Sequence, residues 1–103
     1  MEIHPIAKLI VQKGLAGFDG SMFSEAQRVE IFGQASQIFF RQGRFDEGIE
    51  ALEKGGLPLP ADKLRELADR KMLLGKHEEA YKLLAKIGDD KMAEFVRTNF
   101  LDN

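Results

Sequence analysis

One short segment of this sequence comes close to a metal-binding motif. His77-Glu78-Glu79-Ala80-Tyr81 begins like the His-Glu-x-x-His helix, in which two imidazoles bind zinc and the glutamate acts as a general base. Tyr81 stands where the second histidine is required, and the chain has no cysteine to complete a site. We therefore predict no metal and no cofactor, and we expect His77 to pack at a helix turn.

Other reactive residue types also lack the neighbours that catalysis needs. Gly14, Gly17 and Gly20 have a spacing that suggests a phosphate-binding loop, but no strand precedes them and no Gly-Lys-Ser/Thr follows. The carboxylates lie at helical positions with basic neighbours, which is typical of solvated helix faces. No nucleophile, base and orienting group form a set. The sequence therefore predicts a protein that is not an enzyme.

The elements that position these residues are predicted to be helices alone, because no segment alternates apolar and polar residues for long enough to form a strand. Proline and capping residues mark helix starts, and glycine marks helix ends. The expected boundaries, from the first helix to the sixth, are Pro5 to Gly14, Ser24 to Gly43, Asp46 to Gly55, Ala61 to Gly75, His77 to Gly88, and Asp89 to the C-terminus. The fold class is therefore all-α.

The periodicity also predicts which faces are buried. The second helix is expected to bury a wide apolar face, and apolar residues of the loop 15–23 are expected to tuck under the helices. The core residues expected from the later helices include Ile49, Leu52, Leu64, Leu67, Ala68, Leu74, Ala80, Leu83, Leu84, Ile87, Met92, Phe95, Val96 and Phe100, and the second helix adds Val29, Ile31, Phe32, Ala35, Ser36, Ile38 and Phe39.

An internal repeat links two parts of the chain. The segments 41–56 and 73–88 match at a shift of 32 residues, with identical residues at five positions and similar ones at three more. The identical pairs are Gly43/Gly75, Glu47/Glu79, Leu52/Leu84, Lys54/Lys86 and Gly56/Gly88. A fixed period of this size indicates stacked helical hairpins.

This repeat resembles the tetratricopeptide repeat (TPR), whose unit is a pair of antiparallel helices of ~34 residues. The resemblance rests on large, small and glycine positions such as Phe32, Ala35, Gly43, Leu64 and Gly75, and it covers about residues 29–92. It implies a single domain, 1–103, built as a short α-solenoid of about two TPR-like helical hairpins, flanked by an N-terminal helix and a C-terminal capping helix. Three features depart from the family pattern: Lys71 replaces an aromatic residue, Gly48 replaces alanine, and Gly55-Gly56 shortens the second helix of the first unit.

In the TPR family, the first helix of each unit lines a groove for peptides or helices of partner proteins. The same placement implies a partner-binding set of Gln37, Phe40, Arg41, Arg65, Asp69, Met72 and Leu73. Phe40, Met72 and Leu73 are apolar and lie off the core stripe, as expected of an exposed binding patch. The alternative is that the N-terminal helix or the loop around Phe18 covers them.

Charge and composition indicate which classes of partner to exclude. Lys and Arg number 15 against 17 Asp and Glu, and no basic cluster exists to attract nucleic acid. No segment has the pattern of a signal peptide or a membrane-spanning helix, so no membrane association is expected. The lack of cysteine favours a cytoplasmic location.

These observations together predict a non-catalytic protein–protein interaction module that binds a peptide or helix of a partner protein. Two alternatives stay open. The length and architecture weakly resemble the small needle-subunit chaperones of type III secretion, which suggests a secretion-type chaperone. A short repeat array also exposes stacking faces, so a self-assembling structural domain, such as a homodimer, is the other alternative.

Overall fold

The computed structural model describes residues 2–101, and in that range it contains six α-helices and no strand. The all-α prediction is therefore confirmed. The helices are α1 (Pro5–Lys13), α2 (Glu25–Arg41), α3 (Phe45–Lys54), α4 (Ala61–Leu73), α5 (His77–Lys86) and α6 (Asp90–Val96), with a 3-10 turn at Gly20–Met22 and a π-helical turn at Arg97–Leu101. None of the helices in residues 2–101 has the length and apolar character needed to cross a membrane.

The chain divides into two compact units, which meet in sequence between Leu59 and Pro60. The first unit contains α1, α2 and α3, with α2 packed against both of its neighbours. The second unit contains α4, α5 and α6, with α5 packed against both α4 and α6.

The first two helices begin where the sequence predicts them, and a side chain caps each of them. Pro5 occupies the first position of α1, and His4 Nδ1 accepts a hydrogen bond from the Ile6 N–H at 3.1 Å. At the start of α2, the Gln27 N–H donates to Ser24 Oγ at 3.2 Å, and the Ser24 N–H donates to Gln27 Oε1 at 3.0 Å. This reciprocal pair is the predicted capping box.

The core of the first unit is formed by α1, the loop that follows it, α2 and α3. Leu15 is buried, and Phe18 and Phe23 pack against the core, as predicted for the loop. The buried cluster consists of Ala7, Ile10, Val11, Leu15, Ile31, Phe32, Ala35, Phe39 and Ala51. The expectation for Val29 is wrong: it is 43% exposed, because the buried stripe of α2 passes beside it through Ile31 and Phe32.

The core of the second unit is smaller, and several expectations for it are wrong. Its buried apolar residues are Leu64, Leu67, Ala68, Ala80, Leu83, Leu84, Ala93 and Val96. Leu74 is 69% exposed because it is the residue that caps α4, where the chain already leaves the helix for the Gly75 turn. Met92 and Phe95 are 44% and 50% exposed, because the buried side of α6 carries Ala93 and Val96 and these two residues lie beside it. Phe100, in the π-helical turn after α6, is 38% exposed.

The predicted repeat appears in the backbone. The bounds of α3 and α5 differ by 32 residues, and so do the last residues of α2 and α4. Gly43 and Gly75 both adopt positive φ, at 76° and 77°, and the residue after each donates its N–H to a carbonyl five residues earlier at 2.8 Å. Gly56 and Gly88 end α3 and α5 in the same way. These are Schellman turns, in which a left-handed residue lets the last carbonyls of a helix find donors.

Candidate protein-binding site

The polar face of α2 lines a cavity in the first unit. Gln34, Gln37 and Arg41 follow each other at intervals of three and four residues, so they share one side of the helix. Together with Glu2 and Ile3 they line a cavity of about 200 Å³. Two of the predicted partner-binding residues, Gln37 and Arg41, are therefore brought together here.

A long-range hydrogen bond determines how Gln34 faces this cavity. The His4 N–H donates to Gln34 Oε1 at 2.7 Å, across 30 positions of sequence. Since a backbone N–H can only donate, the side-chain oxygen of Gln34 must face His4. The amide nitrogen of Gln34, with its two N–H donors, therefore points away from the His4 N–H.

Gln37 and Arg41 are exposed, and neither side chain makes a hydrogen bond or ion pair within residues 2–101. A guanidinium carries five donors in a planar fork and no acceptor, which suits a carboxylate on a bound molecule. The Gln37 amide can both donate and accept. The cavity can therefore recognise a polar or acidic group.

Phe40 corrects one part of the predicted binding patch, because it is half-buried within the hairpin of α2 and α3. Its ring lies against Gly48, where an added Cβ would be 2.8 Å from Phe40 Cε1. Its ring centroid is also 5.9 Å from that of Phe45. The glycine that departs from the TPR pattern thus makes room for this ring, and Phe40 is not a fully exposed patch residue.

The predicted residues of the second unit lie on α4. Arg65 and Asp69 are exposed, and Arg65 Nη2 is 3.4 Å from Asp89 Oδ2. Met72 is half-buried, and Leu73 is 88% exposed. A single groove lined by both sets of residues stays a prediction.

Sequence reasoning missed three residues of the α2 cavity. Gln34 lies three positions before Gln37, and this spacing alone could have placed it on the same helix face. Glu2 and Ile3 gave no such signal, because their place beside α2 depends on where the chain folds back. Only a structure brings residues 2 and 3 next to residue 41.

Charges at the start of α3 pair with each other. Arg44 Nη2 lies 2.6 Å from Glu47 Oε2, and the guanidinium carbon is 4.5 Å from the centroid of the Phe39 ring. Hydrogen bonding from Arg44 lowers the pKa of Glu47, and the same bond raises the pKa of Arg44. Arg44 Nη1 also donates to the Val11 carbonyl at 3.1 Å. This pair therefore ties α3 to α1.

Lys71 occupies the aromatic position of the repeat in the second unit and is buried, with 7% exposure. Its Nζ lies 3.2 Å from Glu79 Oε1, whose side chain is 52% exposed. His77 begins α5 nearby in sequence, and its ring centroid is 4.3 Å from that of Phe100. His77 thus packs beside the hairpin turn, as predicted. In the part of the chain that the structure describes, no three metal-ligating side chains come together.

Comparison with known proteins adds no assignment to this geometry. No protein-family model, no curated protein and no solved structure matches the chain. Function must therefore be inferred from the side chains and from how the fold places them.

Proposed function

We propose that this chain is a non-catalytic protein-interaction module that binds a segment of a partner protein on the polar face of α2. The observation that carries the proposal is the cavity of about 200 Å³ lined by Gln34, Gln37 and Arg41. Arg41 and Gln37 are exposed polar side chains whose donors have no partner in residues 2–101. A ligand with carboxylate and amide groups would satisfy them.

The proposal includes a TPR-like architecture and a cytoplasmic location. The 32-residue offset between the bounds of α3 and α5 supports the repeat, as do the matching turns at Gly43 and Gly75. Helical hairpins of this kind bind partners through helix faces and need no cofactor.

The partner segment is proposed to carry a carboxylate and an apolar side chain. The carboxylate would form charge-assisted hydrogen bonds with Arg41, which are stronger than hydrogen bonds between neutral groups. Ile3 lines the same cavity, which shows that this place beside α2 accepts an apolar side chain. Acidic segments with one apolar face are therefore the favoured ligands.

The test is capture of a partner on the immobilised full-length chain, followed by affinity measurements with purified partner. Arg41→Gln should weaken binding by tenfold or more, which corresponds to ~1.4 kcal/mol. Lys13→Gln is the matched control, because Lys13 is the basic residue in the last turn of α1 as Arg41 is in α2. Equal affinity for wild type and Arg41→Gln would contradict the proposal.

Self-association is a second candidate, which the exposed apolar residues of the second unit favour. Leu73 and Leu74 are 88% and 69% exposed at the end of α4. Light scattering coupled to size exclusion would reveal a dimer that persists on dilution. If Leu73→Ser with Leu74→Ser abolished that dimer, assembly would be favoured over client binding. A monomer would favour a client, including the client of a secretion-type chaperone.

A further inference from the structure

The chain already places a short segment of its own against the polar face of α2. His4 is extended, with φ −56° and ψ 133°, as expected before Pro5. Its N–H donates to Gln34 Oε1 at 2.7 Å. Ile3 is half-buried and packs against the core of the first unit.

The side chain before Ile3 completes the pattern. Glu2 is exposed and lines the same cavity as Arg41, without an ion pair between the two. The segment 2–4 thus presents, in order, a carboxylate, a branched aliphatic side chain and a backbone N–H donor. The polar face of α2 offers a guanidinium and an amide oxygen to such a segment, so the two are chemically complementary.

The segment only partly fills the space beside α2. A cavity of about 200 Å³ is left between Glu2, Ile3 and the side chains of α2. On another side, Glu2 and Ile3 also line an open cleft with Pro5 and Lys8. The packing of Ile3 on the core and one hydrogen bond from His4 to Gln34 hold the segment beside α2, and open space remains on two sides of it. Loss of the Ile3 contact should therefore make the segment displaceable.

We propose that the polar face of α2 binds an extended partner segment in which an acidic residue is followed directly by a branched aliphatic residue, and that Glu2 and Ile3 act as a built-in competitor. This inference rests on the proposed function and specifies the ligand of that same site. The partner's acidic side chain pairs with Arg41, its aliphatic side chain takes the place of Ile3, and its next backbone N–H donates to Gln34.

A tethered competitor lowers the apparent affinity for an outside ligand. The segment 2–4 continues directly into α1, which keeps it beside its own site and gives it an effective concentration of about millimolar or higher there. The apparent dissociation constant of an outside ligand rises in proportion as the fraction of open sites falls. Weakening the segment should therefore tighten binding of a peptide that imitates it.

The probe is the synthetic peptide acetyl-Glu-Ile-His-Pro-Ile-Lys-amide, labelled with fluorescein on the added lysine and titrated with the 103-residue chain in anisotropy measurements. We expect Ile3→Ser to bind it at least tenfold more tightly than wild type. Glu2→Gln leaves the apolar contacts in place and removes only a carboxylate that shares the cavity with Arg41, so it should give a much smaller gain. If neither variant binds the peptide more tightly than wild type, the proposal is wrong.

Further variants locate the peptide. In the Ile3→Ser background, Arg41→Gln should weaken binding at least tenfold, while Lys13→Gln should leave it unchanged. A peptide with Lys in place of Glu should not bind, and the free-acid form should bind as the amide does, because the side-chain carboxylate is the recognised group. Tighter binding of the free acid alone would contradict this assignment.

Hydrogen exchange gives an independent readout on wild type. Saturating peptide should speed exchange of the His4 amide, because the peptide replaces that residue on Gln34. A bound peptide that leaves the His4 amide protected would overturn the proposal, since the peptide would then bind elsewhere. If the peptide fails while Arg41→Gln still weakens a captured partner, this inference is wrong and the proposed function stands.

Discussion

The two helical hairpins of this chain share their turns but differ in the side chains packed at those turns. The α2–α3 hairpin has the fully buried Phe39 where the α4–α5 hairpin has Lys71. In the first, Arg44 lies over the Phe39 ring and pairs with Glu47. In the second, the cation is Lys71 itself, which pairs with Glu79, the equivalent of Glu47.

This difference shows that the repeat preserves a carboxylate with a cationic partner while the cation changes position. The turn can tolerate the exchange because its shape depends on backbone hydrogen bonds and on a glycine with positive φ. The exchange affects the packing of the core instead. A buried lysine fills less of the interior with apolar atoms than a phenylalanine does, and its charge must stay paired.

A second difference concerns the side chains at one pair of equivalent positions. Phe40 packs on Gly48 in the first hairpin, and the equivalent residues of the second are Met72 and Ala80. The first hairpin thus has a large rigid ring and a glycine where the second has a flexible side chain and an alanine. The ring of Phe40 leaves no room for a methyl group at position 48.

The largest expected effect comes from the position that differs most. Phe39→Ala should lower the free energy of unfolding by about 3–5 kcal/mol, because it removes a fully buried ring. Lys71→Met at the equivalent position should change it by about 1 kcal/mol or less, or raise it, because an apolar residue can replace a buried charged pair. Urea denaturation of both variants checks this, and equal losses would contradict the contrast.

Exchange of the second pair between hairpins is expected to have an intermediate effect. Gly48→Ala should destabilise the chain despite a gain of about 1 kcal/mol in helix propensity, because the new methyl group clashes with Phe40. Adding Phe40→Met should recover part of that loss. A double-mutant cycle in urea should show coupling of about 1–2 kcal/mol. Additive changes would mean that the two positions are independent.

The smallest expected effect is electrostatic. The folded chain lowers the pKa of Glu47, so the stability this carboxylate contributes is complete above its ordinary pKa of about 4.3 and is lost as the pH falls through the lower, folded value. Glu47→Gln should therefore lower the urea midpoint at pH 6, and this effect should shrink as the pH falls below the ordinary pKa of the carboxyl. In an Arg44→Gln background the pH dependence of this difference should shrink. A difference that stays the same as the pH falls would contradict the assignment.

Much of the candidate site lay beyond sequence reasoning for one physical reason. Gln37 and Arg41 could be placed on α2 because helix spacing is local. Their neighbours Glu2 and Ile3 are separated from α2 in sequence by α1 and the loop after it. Phe40 packs inward because Gly48 leaves space for its ring. Contacts between residues far apart in sequence depend on how the elements pack, which no local pattern determines.

The sequence by itself determined the helices, their ends and the repeat. Helix ends depend on hydrogen bonds between residues close in sequence, as in the Ser24 and Gln27 cap and at left-handed glycines such as Gly43. The local sequence is therefore enough to predict them. Only the tertiary structure decided which apolar side chains are buried. Phe95 has the spacing of a core residue and is 50% exposed, because burial requires a neighbouring surface and α6 offers only a short stripe to α5.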